Sequence, residues 1–116
     1  MHKADYIEGK VYFNFTFLDR NFLYPDLIPL VYIGKNIENS ENGDEWYFQG
    51  VESYYVEGAF LGTANFSEMQ ISDFMDNPPK LSILSRRELI NIYTLDKIIE
   101  KLQLWRNEPD GKNWID

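Results

Sequence analysis

Val11-Tyr12-Phe13-Asn14-Phe15-Thr16-Phe17 alternates, placing Val11, Phe13, Phe15 and Phe17 on one side of an extended chain and Tyr12, Asn14 and Thr16 on the other. Alternation of this kind predicts a strand with its Phe-rich face buried. Leu27 to Glu38 is a second extended run, in which Pro29 must lie near the start or on an edge because it has no N–H for a ladder. The polar stretch Asn39 to Asp44 holds Asn42-Gly43, a pair that accepts the positive φ angles of a hairpin turn. Glu45 to Gln49 then reads as the returning strand.

Gly50 and Gly58 bracket Val51 to Glu57, which fits two turns of helix with Gly58 at the C-cap, or an irregular bend. In Asn65 to Asp76 the apolar residues Phe66, Met69, Ile71, Phe74 and Met75 follow neither period, and Asn77-Pro78-Pro79 ends the segment. Leu81 to Leu84 and Glu88 to Tyr93 read as short strands, although Ser85-Arg86-Arg87-Glu88 also fits a capping box opening one long helix through Trp105. A strand followed by a helix is the preferred reading: Thr94 is an N-cap, Leu95, Ile98, Ile99, Leu102 and Trp105 recur at helical spacing, and Lys101 and Arg106 complement the dipole. Past about residue 107 the chain reads as a loose tail with Trp114 as its one anchor. The expectation is one α+β domain over residues 1–116: an antiparallel or mixed sheet, strongly curved or barrel-like, with one C-terminal helix packed on a face.

Charge changes the picture. The chain has a formal net charge of −8, from 19 acids and 11 bases. No Lys or Arg lies between Lys35 and Lys80, where Glu38, Glu41, Asp44, Glu45, Glu52, Glu57, Glu68, Asp73 and Asp76 all fall. Phosphate binding needs clustered cations, so nucleic acid is not an expected direct ligand. A field of this sign instead speeds encounter with a basic partner. The absence of cysteine removes disulfides and thiolate chemistry and agrees with a reducing compartment. Met1-His2-Lys3-Ala4-Asp5 lacks a signal-like apolar core, and no apolar run approaches the roughly 20 residues of a membrane helix. A cytoplasmic protein with no membrane partner is expected.

Catalytic chemistry finds little support. The one histidine is His2, at the terminus, which argues against a nucleophile–base triad and against zinc. "NSENGDE" has oxygen ligands but not the order of a calcium loop, and no phosphate-binding glycine motif occurs. Glu45 with Glu52, or Asp73 with Asp76, remain as acid–base pairs, but in so acidic a chain solvated carboxylates are the ordinary reading. The expectation is a protein that is not an enzyme and uses no cofactor or metal.

Asp44 to Phe60, "DEWYFQGVESYYVEGAF", concentrates six aromatics and four carboxylates. Phe13, Phe15, Phe17, Trp46 or Tyr47, and Phe48 are expected in the core, since strand aromatics pack inward. Tyr54, Tyr55 and Phe60 are hard to bury together in a short Gly-bounded segment, and Tyr beside Glu52 and Glu57 suits an interface. The candidate partner-binding set is therefore Glu38, Glu41, Asp44, Glu45, Glu52, Tyr54, Tyr55, Glu57, Phe60, Glu68, Asp73 and Asp76.

The size, the lack of cysteine, "EWYFQGVESYYVEG" after an Asn-Gly turn, the base-free span from Asn36 to Pro79 and the closing "TLDKIIEKLQLW" together resemble the small acidic immunity proteins of bacterial toxin systems, including contact-dependent growth inhibition and other polymorphic toxins. The resemblance implies a cytoplasmic inhibitor that binds a cognate toxin, often a basic nuclease, and blocks its active site or substrate path. A second expectation from another class is a curved, aromatic-lined sheet enclosing a small apolar ligand, with Phe13, Phe15 and Trp46 lining the cavity. A third is a subunit whose acidity serves solubility alone.

Overall fold

The alternating run forms β1, Val11–Phe17, in a computed structural model that describes residues 5–38, 41, 43–62, 67, 75–76 and 78–107. It is followed by β2 (Pro25–Lys35), β3 (Trp46–Gly50), helix α1 (Val51–Glu57), β4 (Leu81–Leu84), a 3₁₀ turn (Arg86–Asn91), β5 (Ile92–Tyr93) and helix α2 (Leu95–Asn107). The sheet order is β4-β3-β2-β1-β5, and every pairing is antiparallel. The fold is α+β with a C-terminal helix, and the sheet stays open instead of closing into a barrel. The segment Asn65 to Asp76, apart from residues 67, 75 and 76, lies outside the described residues, as do Asn42 of the hairpin and the tail with Trp114.

Four strands follow one another as a meander, and the chain then crosses from one edge, β4, to the other, β5. The crossover runs over the Trp46 face: Leu89 and Ile92, both buried, pack there with Tyr12, Leu30, Tyr32, Trp46 and Phe48. Tyr6 joins them edge-on to Tyr12 and Phe48, with centroids 4.9 and 5.5 Å away, and burial beside those rings pushes its hydroxyl up to about 12.

The other face of the sheet is covered too. Val31, Ile33 and Tyr47 pack there with Phe60, Ile37, Tyr54 and Leu81. Trp46 and Tyr47 thus mark the two faces. Register places Val11, Phe13, Phe15 and Phe17 on the Tyr47 face, because Val11 pairs with Val31 and that alternation runs along the whole of β1. Of these four only Phe15 is buried, whereas Tyr12 on the Trp46 face is among the most buried residues of the molecule. One-sided burial of β1 is therefore corrected: the sheet has two covered faces, so polar-looking Tyr12 becomes core. Lys101 of α2 sits 5.8 Å over the ring of Tyr93, which lies opposite Phe13, so α2 covers the Tyr47 face at β1 and β5.

Pro29 is in the middle of β2, yet it removes no ladder bond. The N–H of Tyr32 donates to the Lys10 carbonyl, so even-numbered residues of β2 face β1 and odd-numbered ones face away. Pairing with β3 begins only at Leu30. Among the described residues no strand pairs with the outward edge from Pro25 to Pro29, and of its three outward positions, 25, 27 and 29, two are prolines. Such an edge resists addition of a further strand.

The C-terminal half combines both sequence readings. Ser85 and Glu88 do make a capping box, the Glu88 carboxylate accepting from the Ser85 N–H at 2.9 Å and its hydroxyl at 3.1 Å. It opens the 3₁₀ turn, not a helix to Trp105, and the strand expected over Glu88 to Tyr93 shortens to Ile92–Tyr93. Thr94 caps α2 as its composition predicts, with the Lys97 N–H 3.3 Å from its hydroxyl.

The β1–β2 connection is held by one side chain. The Asp19 carboxylate accepts from the N–H groups of Asn21 (3.1 Å), Leu23 (3.0 Å) and Tyr24 (2.9 Å). Phe22 takes a left-handed φ of 59°, its ring packs edge-on to Phe17, and its carbonyl accepts from the Trp105 indole N–H at 2.8 Å. Partial desolvation pulls the Asp19 carboxyl up, but the N–H groups of Tyr24, Leu23 and Asn21 together hold it below its ordinary range. A depressed folded-state value means that its stabilisation is complete above the unfolded value of about 3.9 and is lost as pH falls through the folded one. The Leu23 and Tyr24 amide proton shifts are accordingly expected to move with a midpoint below that value on acidification, and to stay put in Asp19→Asn. A midpoint at or above the ordinary carboxylate range in NMR titration would refute the clamp.

Candidate functional site

The aromatic and acidic stretch folds as β3 followed directly by α1. Trp46, Tyr47, Phe48 and Gln49 are all buried, so β3 anchors the segment to both halves of the core. Gly50 ends the strand, and the chain turns into α1 across the Tyr47 face. Gly58 ends the helix at φ +81°, with its N–H bonded to the Tyr54 carbonyl at 2.8 Å. Phe60 then drops into the core against Val31, Ile33 and Tyr47.

A buried glutamine ties these pieces together. Gln49 Nε2 donates to the Ser53 hydroxyl at 2.9 Å and to the Gly58 carbonyl at 3.1 Å, and Oε1 accepts from the Phe60 N–H at 3.0 Å. One side chain from the sheet thus fixes the start of α1, its C-cap and the return beyond it. None of the seven residues of α1 is buried, and Glu52, Tyr55, Val56 and Glu57 are all exposed, Tyr55 at 87 %. Leu61, just past the Phe60 hook, is exposed as well. Among the described residues neither Glu52 nor Glu57 makes an ion pair.

Glu38 and Glu45 lie on the same side. Burial pushes the Tyr47 hydroxyl up, and the Glu45 and Glu38 carboxylates beside it push further, against the opposing Glu38 N–H that donates to it at 3.2 Å. Glu38 and Glu45 therefore flank Tyr47 on the face that α1 covers. Glu41 and Asp76 are exposed, while Glu68 and Asp73 lie outside the described residues.

Three members of the sequence-derived set have other work. Asp44 bonds to the Asn36 amide at 3.0 Å and pairs with Lys35 at 3.3 Å, which together with Arg86 hold its carboxyl below the usual range. Lys35 and Arg86 also sit over the Trp46 ring, 4.9 and 5.2 Å from its centroid. Asp44 thus belongs to a cation cluster on the Trp46 face and is neutralised there. Phe60 is 6 % exposed and serves as the hook, not as contact surface. Tyr54 is half-buried and packs against the same core cluster. Gln49, Lys35 and Arg86 carried no functional signal in the sequence: the glutamine stood in an aromatic strand, and the cations lie 51 positions apart.

Phe15 and Trp46 lie on opposite faces of an open sheet, so they do not line one cavity. No described helix is long and apolar enough to cross a membrane. Replacing Gln49 with Leu leaves the buried Phe60 N–H without its partner, at about 1–3 kcal/mol, whereas the carbonyl of exposed Gly58 can turn to water. Urea denaturation of Gln49→Leu is expected to show a loss of about 1–3 kcal/mol, and a loss under about 0.5 kcal/mol would exclude the clamp. Compared with family models, curated proteins and solved structures, the chain gives no match.

Proposed function

We propose that this chain is a non-enzymatic binding protein of the immunity type, which neutralises a basic bacterial toxin in the cytoplasm by docking its α1 face onto the toxin. The observation that carries the reading is the contrast within α1. The helix is pinned at both ends by Gln49, yet it buries none of its own residues and presents Glu52, Tyr55, Val56 and Glu57 to solvent. Burial of α1 side chains adds little to the core, so its order is best accounted for by display.

The chemistry suits a cationic macromolecule. A nuclease presents Lys and Arg to phosphate, and the exposed carboxylates of Glu52 and Glu57, with Glu38, Glu41 and Glu45 nearby in the chain, meet that surface with a complementary field that raises the on-rate. Tyr55, Val56 and Leu61 supply the rigid apolar area from which affinity comes. Glu68, Asp73 and Asp76 extend the same base-free span.

The test is inhibition of the toxin encoded beside this chain's gene. Tyr55→Ala should weaken binding about 30-fold or more, as a hot-spot residue does. Glu52→Lys with Glu57→Lys should slow association and flatten its salt dependence, with the unfolding midpoint unchanged. Retention of full inhibition by both variants would sink the proposal.

A further inference from the structure

We propose that the two carboxylates of α1 do different work: Glu52 serves the helix, and Glu57 binds, seating a cationic side chain of the basic partner at the C-terminal end of α1. The assignment rests on the docking role of α1 and names the residue that decides it.

The two ends of α1 are chemically opposite. A helix carries partial positive charge at its N-terminus and partial negative charge at its C-terminus, so an acid stabilises the first turn and destabilises the last. Glu52 lies in the first turn, where the Gly50 N-cap offers the leading N–H groups no side-chain acceptor. Lys80 stands beside the same end, its carbonyl accepting from the Gly50 N–H at 2.8 Å and its own N–H reaching the Ser53 hydroxyl at 3.4 Å. Glu52 therefore sits where the fold itself favours an anion.

Glu57 sits where the fold disfavours one. It is exposed, it is the final residue of the helix, and the last turn holds no base. The Gly58 N–H satisfies the Tyr54 carbonyl, but among the described residues no group donates to the carbonyls of Tyr55, Val56 or Glu57. A carboxylate and three carbonyls thus share one helix end, with acceptors only and no cation to relieve them. A Lys or Arg side chain, which is charged and carries several N–H donors and no acceptor, complements that set. A calcium ion asks for more, since it takes six to eight oxygens with several carboxylates among them, and the described residues gather no group of three acidic side chains.

The end is also held still. Gln49 bonds the Gly58 carbonyl at 3.1 Å and the Phe60 N–H at 3.0 Å, so little conformational freedom is lost on docking. Val56 beside Glu57 and Leu61 four residues on are 69 % and 64 % exposed. Covering them removes water from the charge pair, and a charge pair closed off in this way acts on dissociation, whereas a carboxylate left in solvent acts on association.

Glu52→Gln and Glu57→Gln each remove one negative charge at nearly constant shape, so comparing them cancels the effect of net charge. The thermal midpoint of Glu57→Gln should exceed that of Glu52→Gln by about 1–5 °C at low ionic strength. In about 1 M salt the gap should close. Against the toxin encoded beside this chain's gene, Glu57→Gln should raise the dissociation rate about tenfold or more, and Glu52→Gln should act mainly by slowing association. A midpoint gap that is absent or reversed, or dissociation rates raised equally by both variants, would overturn the division of labour and leave α1 standing as the docking face. Binding that is absent in the wild type, or untouched by both variants and by Tyr55→Ala, would overturn the docking role and this assignment with it.

Discussion

Four consecutive residues of β3, Trp46 to Gln49, are buried, and since neighbours on a strand point in opposite directions the sheet has to be covered on both sides. Most of the architecture answers that requirement. The Trp46 side is closed by the 3₁₀ crossover, from which Leu89 packs there beside Ile92. The Tyr47 side is closed by α1 and Phe60, and further along by α2. A polar side chain at the end of this run would ordinarily cost about 1–3 kcal/mol if left unpaired in the interior. Gln49 instead bonds to Ser53, Gly58 and Phe60, inside the segment it must hold, so the requirement of satisfaction and the requirement of coverage are met by the same atoms.

That coupling explains how a short helix with no buried residue keeps its place. Seven residues are too few for an isolated helix to persist in water. Here its ends are fixed by the sheet, which leaves the outward side chains free to be chosen for something other than folding. Carboxylates next to Tyr55 and Val56 on such a support have the composition of a contact surface: apolar area for affinity, charge for approach and selection. Two cations, Lys35 and Arg86, are engaged against Trp46 and Asp44 on the opposite face, while Lys80 lies beside the start of α1, its carbonyl accepting from the Gly50 N–H at 2.8 Å.

The β1–β2 hairpin shows a second use of fixed backbone. Its outer half loses its neighbour β3 at Leu30, and prolines at positions 25 and 29 blunt the edge thus exposed. Two of the three outward N–H donors are missing from that edge, and on the sheet face beside it Leu18, Tyr24 and Ile28 are exposed. Asp19 keeps the tip in one conformation through hydrogen bonds that persist as long as its carboxyl is ionised.

Local pattern was enough for much of this. The strand over Val11–Phe17, the helix after Thr94, the C-cap at Gly58, the strand Leu81–Leu84 and the α+β class all follow from periodicity and capping chemistry, which act over a few residues. The acidity of the middle of the chain was equally plain. What the pattern left open depended on distant partners. Tyr12 and Phe13 are neighbours of similar character, and which one is buried was decided by the crossover from β4 to β5, some 75 residues later. Asp44 and Glu52 looked alike in composition until Lys35 and Arg86 came to one and not the other. Pro29 could be reconciled with a long β2 only once β3 was found to start pairing beyond it. Sequence determines which way each side chain points relative to its neighbours, because that is a property of the local backbone; what it points at is set by how the sheet folds over itself.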